Sequence, residues 1–216
     1  MAMPFNITRE CAPKKMKSMN EESNSTDSDV DFYGFNIEPF KETLDVRNFD
    51  CGNTDLNEFL TTEEVALYEN EGFGTTYLVY YKGSLLAYFT ISFDALRVEY
   101  LKTVKSFSRL AEMKLESIPS VKIGRLAVDK KWQRRQIGTH LIKYMSGLAI
   151  TMKGKAGVRL LVLQAKRESI GFYDKCGFVL TDKVGRERGR RNRTMFLDLY
   201  KVFPLASPSA SIDFSH

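Results

Sequence analysis

Between Val121 and Ile150 the chain reads VKIGRLAVDKKWQRRQIGTHLIKYMSGLAI, and this stretch constrains the fold more than any other. It begins as a short apolar strand, Ile123 to Val128, and turns through a cation-rich segment, Asp129 to Gln136. It then places Ile137, Leu141, Met145 and Leu148 at i, i+4, i+8 and i+11, the period of an amphipathic helix. A strand that runs through a tight turn into a helix N-terminus makes an anion site. The first-turn N–H groups have no helical partner there, and the helix dipole favours negative charge. Gly138 keeps a Cβ away from a close ligand, and Lys130, Lys131, Arg134 and Arg135 surround the turn. These residues predict a phosphate-bearing ligand; the alternative is a turn whose cations face only water.

The 216 residues suffice for one domain with a full core, and 43% apolar with 27% charged residues is ordinary for a globular chain. Cys11, Cys51 and Cys176 are odd in number and widely spaced, and the only histidines are His140 and His216. No disulfide framework and no metal are therefore expected, and the cytoplasm is the expected location. No run approaches the roughly 18 apolar residues of a membrane span. The most apolar region, Tyr77 to Phe93, is broken at Lys82-Gly83-Ser84, and the N-terminus lacks a signal-peptide core. A net charge of +5 permits an acidic partner without requiring one.

Residues 1–34 include MNEESNSTDSDVD, too polar to repay the entropy of ordering, and are expected to form a flexible tail. Residues 35–203 are expected to form the folded domain, and 204–216 a second tail. Phe35, Ile37 and Phe40 start a first strand. Asn53 or Thr54 caps a helix carrying Leu56, Phe59, Leu60, Ala66 and Leu67, which Gly72 and Gly74 close. Thr75–Tyr81 and Leu85–Phe93 read as a hairpin, apolar at most positions and so covered on both faces. A weak helix is predicted from Val98 to Leu115. Beyond the central stretch come a strand at Val158–Leu163, a short helix at Lys166–Lys175 stopped by Gly177, and strands at Phe178–Leu180 and Thr194–Tyr200. This order predicts an α+β fold of mixed α/β layers, a mostly antiparallel sheet with helices on both faces.

Two motifs then meet. Gln133-Arg134-Arg135-Gln136-Ile137-Gly138, preceded by GRLAVD, is similar to the Gln/Arg-x-x-Gly-x-Gly/Ala turn of the GNAT superfamily of acetyl-CoA-dependent N-acetyltransferases. Gly171-Phe172-Tyr173-Asp174-Lys175-Cys176-Gly177-Phe178 resembles that family's late FYxKxGF helix end. The resemblance spans about residues 35–203 and departs from the pattern at Gln136, where the family has its first glycine. If that position needs positive φ, glutamine strains it or shifts the pyrophosphate.

The resemblance implies acetyl-CoA as co-substrate. Its pyrophosphate would lie on the backbone of Gln133, Arg134, Arg135, Gln136, Ile137, Gly138 and Thr139, and its pantetheine arm along Leu126, Ala127 and Val128. Tyr173 takes the position of the family's general acid. A phenol of pKa about 10 protonates a thiolate of about 8.5 readily only if the site lowers the phenol. The strand supplies no glutamate base; Glu116 and Asp129 flank it without a firm claim, which favours an acceptor of low pKa such as an α-amine. Arg186, Arg188, Arg190, Arg191 and Arg193 form a basic strip suited to RNA phosphates, or else a solvated loop. FDCGNTDLNEFL, GRLAVD and RTMFLDL together resemble the toxin-type branch of the family, whose members acetylate aminoacyl-tRNA. Three readings follow: an enzyme acting on aminoacyl-tRNA, an enzyme acting on a small amine or a protein, and a non-catalytic CoA-binding module. Pairing of exposed strands into a homodimer is a further expectation from the family fold.

Overall fold

The computed structural model describes residues 30–101, 107, 114–152, 155–181 and 192–202. Seven strands form one sheet in the order β1-β2-β3-β4-β5-β7-β6. They are β1 Phe35–Pro39, β2 Thr75–Tyr81, β3 Ser84–Arg97, β4 Ser117–Val128, β5 Leu160–Lys166, β6 Val179–Leu180 and β7 Asn192–Asp198. Every neighbouring pair is antiparallel except β4 with β5. The helices are α1 Thr54–Thr61, α2 Glu64–Asn70, α3 Ile137–Thr151, α4 Ile170–Lys175 and α5 Leu199–Val202. The mixed α+β expectation holds.

The β2–β3 hairpin turns on Lys82 and Gly83, with φ of 48° and 78°. Two consecutive positive φ values define a type I′ turn, whose twist matches that of the strands it joins. Leu86 to Ile91 are buried without interruption, so this part of β3 is covered on both faces. On one side, Phe49, Phe59, Leu60, Val65, Leu78, Tyr88 and Ala127 form a cluster under α1 and α2. On the other, α3 buries Ile137, Leu141, Ile142, Met145, Ser146 and Ala149. The stripe of α3 is thus wider than the spacing suggested, and Leu148 is only half-buried at its margin.

Several elements differ from expectation, among them the last strand, expected at Thr194–Tyr200, which ends at Asp198 where α5 begins. The helix after Asn53 is two helices, because Thr62 adopts an extended conformation (φ −112°, ψ −174°) between them. The fourth strand begins at Ser117, six residues earlier than its apolar run, and Pro119 lies inside it. Polar Ser117, Ser120 and Lys122 interrupt the apolar signal there. The strand after α3 runs on to Lys166, so that only a 3-10 turn, Arg167–Ser169, precedes α4. Of the helix predicted from Val98 to Leu115, a 3-10 turn at Val98–Leu101 is seen, and residues 102–106 and 108–113 lie outside the described residues. Most of both predicted tails lies outside them as well. Among the described residues no helix is long and apolar enough to cross a membrane.

Asn53 is the N-cap of α1, its Oδ1 accepting the Leu56 N–H at 3.2 Å. Asn53→Ala removes that acceptor at a cost of about 1 kcal/mol. A thermal melt should show Tm lowered by about 2–4 °C with the far-UV spectrum unchanged.

Candidate active site

β4 and β5 pair in parallel register only from Ser120–Leu160 to Ile123–Leu163. Beyond that point β5 stays with β7 as far as Lys166, and β4 stays with β3 as far as Val128. The two strands therefore separate. The separation begins at Gly124, the extra residue of a bulge: Ile91 faces Ile123 and Thr90 faces Arg125, so Gly124 has no partner on β3. A cavity of about 630 Å³ occupies the opening, lined by Leu126 and Val128 of β4, the turn before α3, the start of α3, and Glu168, Ser169, Phe172 and Tyr173.

The turn before α3 is held from below. The Asp129 carboxylate is buried; one oxygen accepts the Lys131 N–H at 2.9 Å and the other the Asp50 N–H at 3.2 Å. The amide of Gln133 donates to the carbonyls of Cys51, at 2.8 Å, and of Val128, at 2.9 Å. Lys130 pairs with Asp50, whose carboxylate also accepts from Gly52 N–H and Asn57. Lys130 first, then the Gly52 N–H and Asn57, hold the Asp50 carboxyl down at about 2. The FDCGN segment is thus a clamp on the turn. Lys130 is committed to it, and the Arg135 guanidinium lies 5.3 Å from the Trp132 ring. Of the cations at the turn, Arg134 faces the cavity, whereas Lys131 and Arg135 line a neighbouring cleft with Trp132 and Tyr80.

Arg134 and Gln136 have φ of 64° and 59°. Two of the four non-glycine residues with positive φ among the described residues thus fall in this one turn, the concentration of strain expected where a ligand is held. Left-handed residues on either side of Arg135 are the kind of backbone from which a concave anion nest can be built. No side chain caps α3, and no acidic residue lies in its first turn, so the positive end of the helix is open to the cavity. Gly138 acts differently from expectation. A Cβ there would meet Phe172 Cζ at 3.1 Å, so the missing side chain makes room for the Phe172 ring.

Of the residues anticipated for the cofactor, Leu126, Val128, Gln133, Arg134, Gln136, Ile137, Gly138 and Thr139 line one cavity. Ala127 points the other way, into the cluster under α1 and α2. Trp132, Glu168, Ser169 and Phe172 also line it and were not anticipated. Phe172 alone had a signal, as the neighbour of Tyr173 in the motif. The second motif is a helix stop. Phe178 N–H donates to Tyr173 O at 3.0 Å and Gly177 N–H to Asp174 O at 2.8 Å, with φ of 88° at Gly177. This is the Schellman pattern, and it fixes α4 with Tyr173 turned to the cavity. Burial, with a smaller contribution from Cys176, pushes the Tyr173 phenol up to about 12, opposite to the lowering that easy proton donation asked for. Burial also raises the Cys51 and Cys176 thiols, which disfavours a thiolate nucleophile at either. Among the possible RNA contacts, Arg193 lies in β7 opposite Ala165, whereas Arg186, Arg188, Arg190 and Arg191 lie outside the described residues.

The left-handed conformation of Gln136 costs roughly 1–2 kcal/mol for a residue with a Cβ. Glycine removes that cost but adds about 0.5–1 kcal/mol of backbone entropy. Gln136→Gly should therefore stabilise the protein by up to about 1 kcal/mol, read as a higher denaturant midpoint at unchanged slope.

Residues 96–180 match the family description "Acetyltransferase (GNAT) domain". No curated protein matches the chain significantly by sequence. Among solved structures, the chain is similar to AtaT complexed with acetyl-methionyl-tRNAfMet, at 24% identity and a TM-score of 0.66 over 78% of this chain and 96% of that one. It is similar to a tyrosine-to-phenylalanine mutant of the AtaT toxin bound to acetyl-CoA and the C-terminus of the antitoxin AtaR, at 25% identity and a TM-score of 0.60 over 79% and 99%. A tyrosine-to-phenylalanine mutant of KacT matches at 22% identity and a TM-score of 0.68 over 80% and 99%. The parted strands and the turn before α3 both lie within residues 96–180, the stretch that matches the GNAT acetyltransferase domain, and the solved structures share the fold.

Proposed function

We propose that this protein transfers the acetyl group of acetyl-CoA to the α-amino group of an aminoacyl-tRNA. One observation carries the first half of the reading: a single cavity joins an anion nest at a helix N-terminus, a strand edge without a partner, and a tyrosine. The spacing suits an elongated ligand with a diphosphate at one end and a thioester at the other. The N–H groups of the 134–139 turn would hold the diphosphate, with Arg134 adding charge. The free edge of β4 from Leu126 to Val128 would hydrogen-bond the pantetheine amides, as a missing strand would. Acetyl-CoA supplies an acyl carbon activated by a good leaving group.

Tyr173 acts as the acid. Tyr173 is half-buried and borders the cavity. With the phenol held near 12, it is protonated at any working pH. Donation to a free thiolate in water runs uphill. A thiolate formed in the same apolar cavity is also destabilised, which narrows the gap. The amine attacks directly, and no covalent enzyme intermediate is needed.

For the acceptor, the absence of a glutamate on β4 favours an amine of low pKa, and the α-amine of an aminoacyl ester is one. The arginine strip from Arg186 to Arg193 suits its RNA carrier. The AtaT structure in complex with acetyl-methionyl-tRNAfMet supports the same reading. Both substrates are cytoplasmic, and stalled translation is the expected consequence, so the protein would act as a toxin.

Tyr173→Phe should lower kcat about 100-fold with acetyl-CoA affinity nearly unchanged. In the wild type, kcat should show no alkaline fall from this group up to about pH 10, because the phenol titrates near 12. Unchanged turnover in the variant removes the acid role. Added to a cell-free translation reaction with acetyl-CoA, the protein should arrest synthesis and leave N-acetylated aminoacyl-tRNA detectable by mass spectrometry. Arrest without that product overturns the tRNA reading. Arg190→Glu with Arg191→Glu should reduce transfer to aminoacyl-tRNA about tenfold or more at low salt and leave transfer to a small amine unchanged.

A further inference from the structure

A second groove, of about 790 Å³, lies between the 40–47 loop and the helices α1 and α2, and shares no lining residue with the cavity described above. Its floor is apolar: Leu60 and Val65 are buried, and Phe40, Leu44 and Val46 are half-buried. The bend at Thr62, where α1 gives way to α2, forms part of its wall. Leu67 stands on its rim at 58% exposure. On α2, Val65 and Tyr68 pack against the core cluster at i and i+3, which turns Leu67 outward. A single exposed leucine needs no explanation, but one that continues an apolar groove enlarges a surface that a partner can cover.

The charge around this groove is opposite to that of the chain as a whole. Residues 31–74 hold eleven carboxylates against two cations, Lys41 and Arg47, although the net charge of the chain is +5. Several of these carboxylates are engaged elsewhere: Asp50 by Lys130, Asp55 by Lys166 and Glu64 by Arg125. Within the groove, Asp45 is paired with Arg47 at 2.9 Å. Glu42 and Glu63 also line it, are exposed, and pair with no cation among the described residues. An apolar floor under an acidic rim is complementary to a segment that is apolar on one side and cationic on the other. The same charge repels the phosphates of a nucleic acid, and a small apolar molecule would leave the rim carboxylates unused.

We infer that this groove is a docking site for a cationic amphipathic helix of a partner protein. The helix lays apolar side chains spaced i, i+3 or i+4, and i+7 on the floor between Leu44 and Leu67, and its lysines or arginines reach Glu42 and Glu63. Covering Leu67 and the half-buried floor supplies the larger share of the affinity, because that surface is removed from water on binding. The rim pairs stay solvent-exposed and contribute mainly orientation and rate of association. The inference is independent of the acetyl-transfer reading, since the groove and the acetyl-transfer cavity have no lining residue in common.

The test titrates the full-length protein with a fluorescein-labelled synthetic peptide of about four helical turns, leucine on one face and lysine on the other. A twin peptide carries glutamate in place of lysine. The lysine peptide should bind saturably, more weakly as salt rises, and the glutamate twin at least about tenfold more weakly. Leu67→Asp should weaken binding of the lysine peptide about tenfold, and Glu42→Lys with Glu63→Lys about tenfold at low salt, with Tm unchanged in each variant. Binding of both peptides alike, or of neither, overturns the inference. Binding of the lysine peptide that Leu67→Asp leaves intact also overturns it, since charge alone is then the cause. Sedimentation of the protein without peptide is the remaining arm. Self-association that Leu67→Asp abolishes would assign the groove to a second copy of this chain and overturn the heterologous partner.

Discussion

The molecule depends on the point where β4 gives up β5. In a continuous sheet every backbone N–H and C=O between two strands is satisfied by the neighbour. Here the register stops at Ile123–Leu163, and each strand keeps only its other partner. The backbone of β4 from Gly124 onward then has one free edge in the middle of the protein. Such an edge is unfavourable unless something fills it, and the cavity of about 630 Å³ is the space in which a ligand can. The bulge at Gly124, the clamp on the 129–136 turn and the placing of α4 all serve to hold this opening at a fixed width.

The clamp shows how a surface loop can set a binding site. Asp50, Cys51 and Asn57 come from the first helix and its approach, and Asp129, Lys130 and Gln133 from the turn, some eighty residues away. Their hydrogen bonds draw the end of β4 and the start of α3 into one rigid corner. Rigidity there lets Arg134 and Gln136 persist in left-handed conformations that neither side chain favours. Much of the cationic character of the turn is spent internally, on Asp50 and on the Trp132 ring. Of the turn's cations, Arg134 is the one whose side chain lines the cavity.

Several features of this fold were legible in the residues for physical reasons. The hairpin follows from the Lys82-Gly83-Ser84 break between two β-branched and aromatic runs, and the stop of α4 from Gly177 after a helical stretch. The start of β4 was not legible, because Ser117, Pro119, Ser120 and Lys122 hide a strand whose partners on both sides are supplied by distant segments. The break at Thr62 was hidden for a similar reason: the apolar period continues across it, while the packing of α1 against α2 needs a bend.

The sequence by itself determined the strand–turn–helix unit and the tyrosine-bearing helix end, because each depends on local spacing and on the identity of a few turn residues. Tertiary structure alone decided which residues share the cavity. Glu168 and Ser169 enter it, while Ala127 and Arg135 turn away, because those outcomes depend on where α4 and the 50–57 segment dock. It also decided what Gln136 and Gly138 do. Sequence marked Gln136 as the departure from the family turn, and the fold shows it carrying the positive φ itself. Sequence read Gly138 as space for a ligand, and the fold gives that space to Phe172, a side chain thirty-four residues further along the chain.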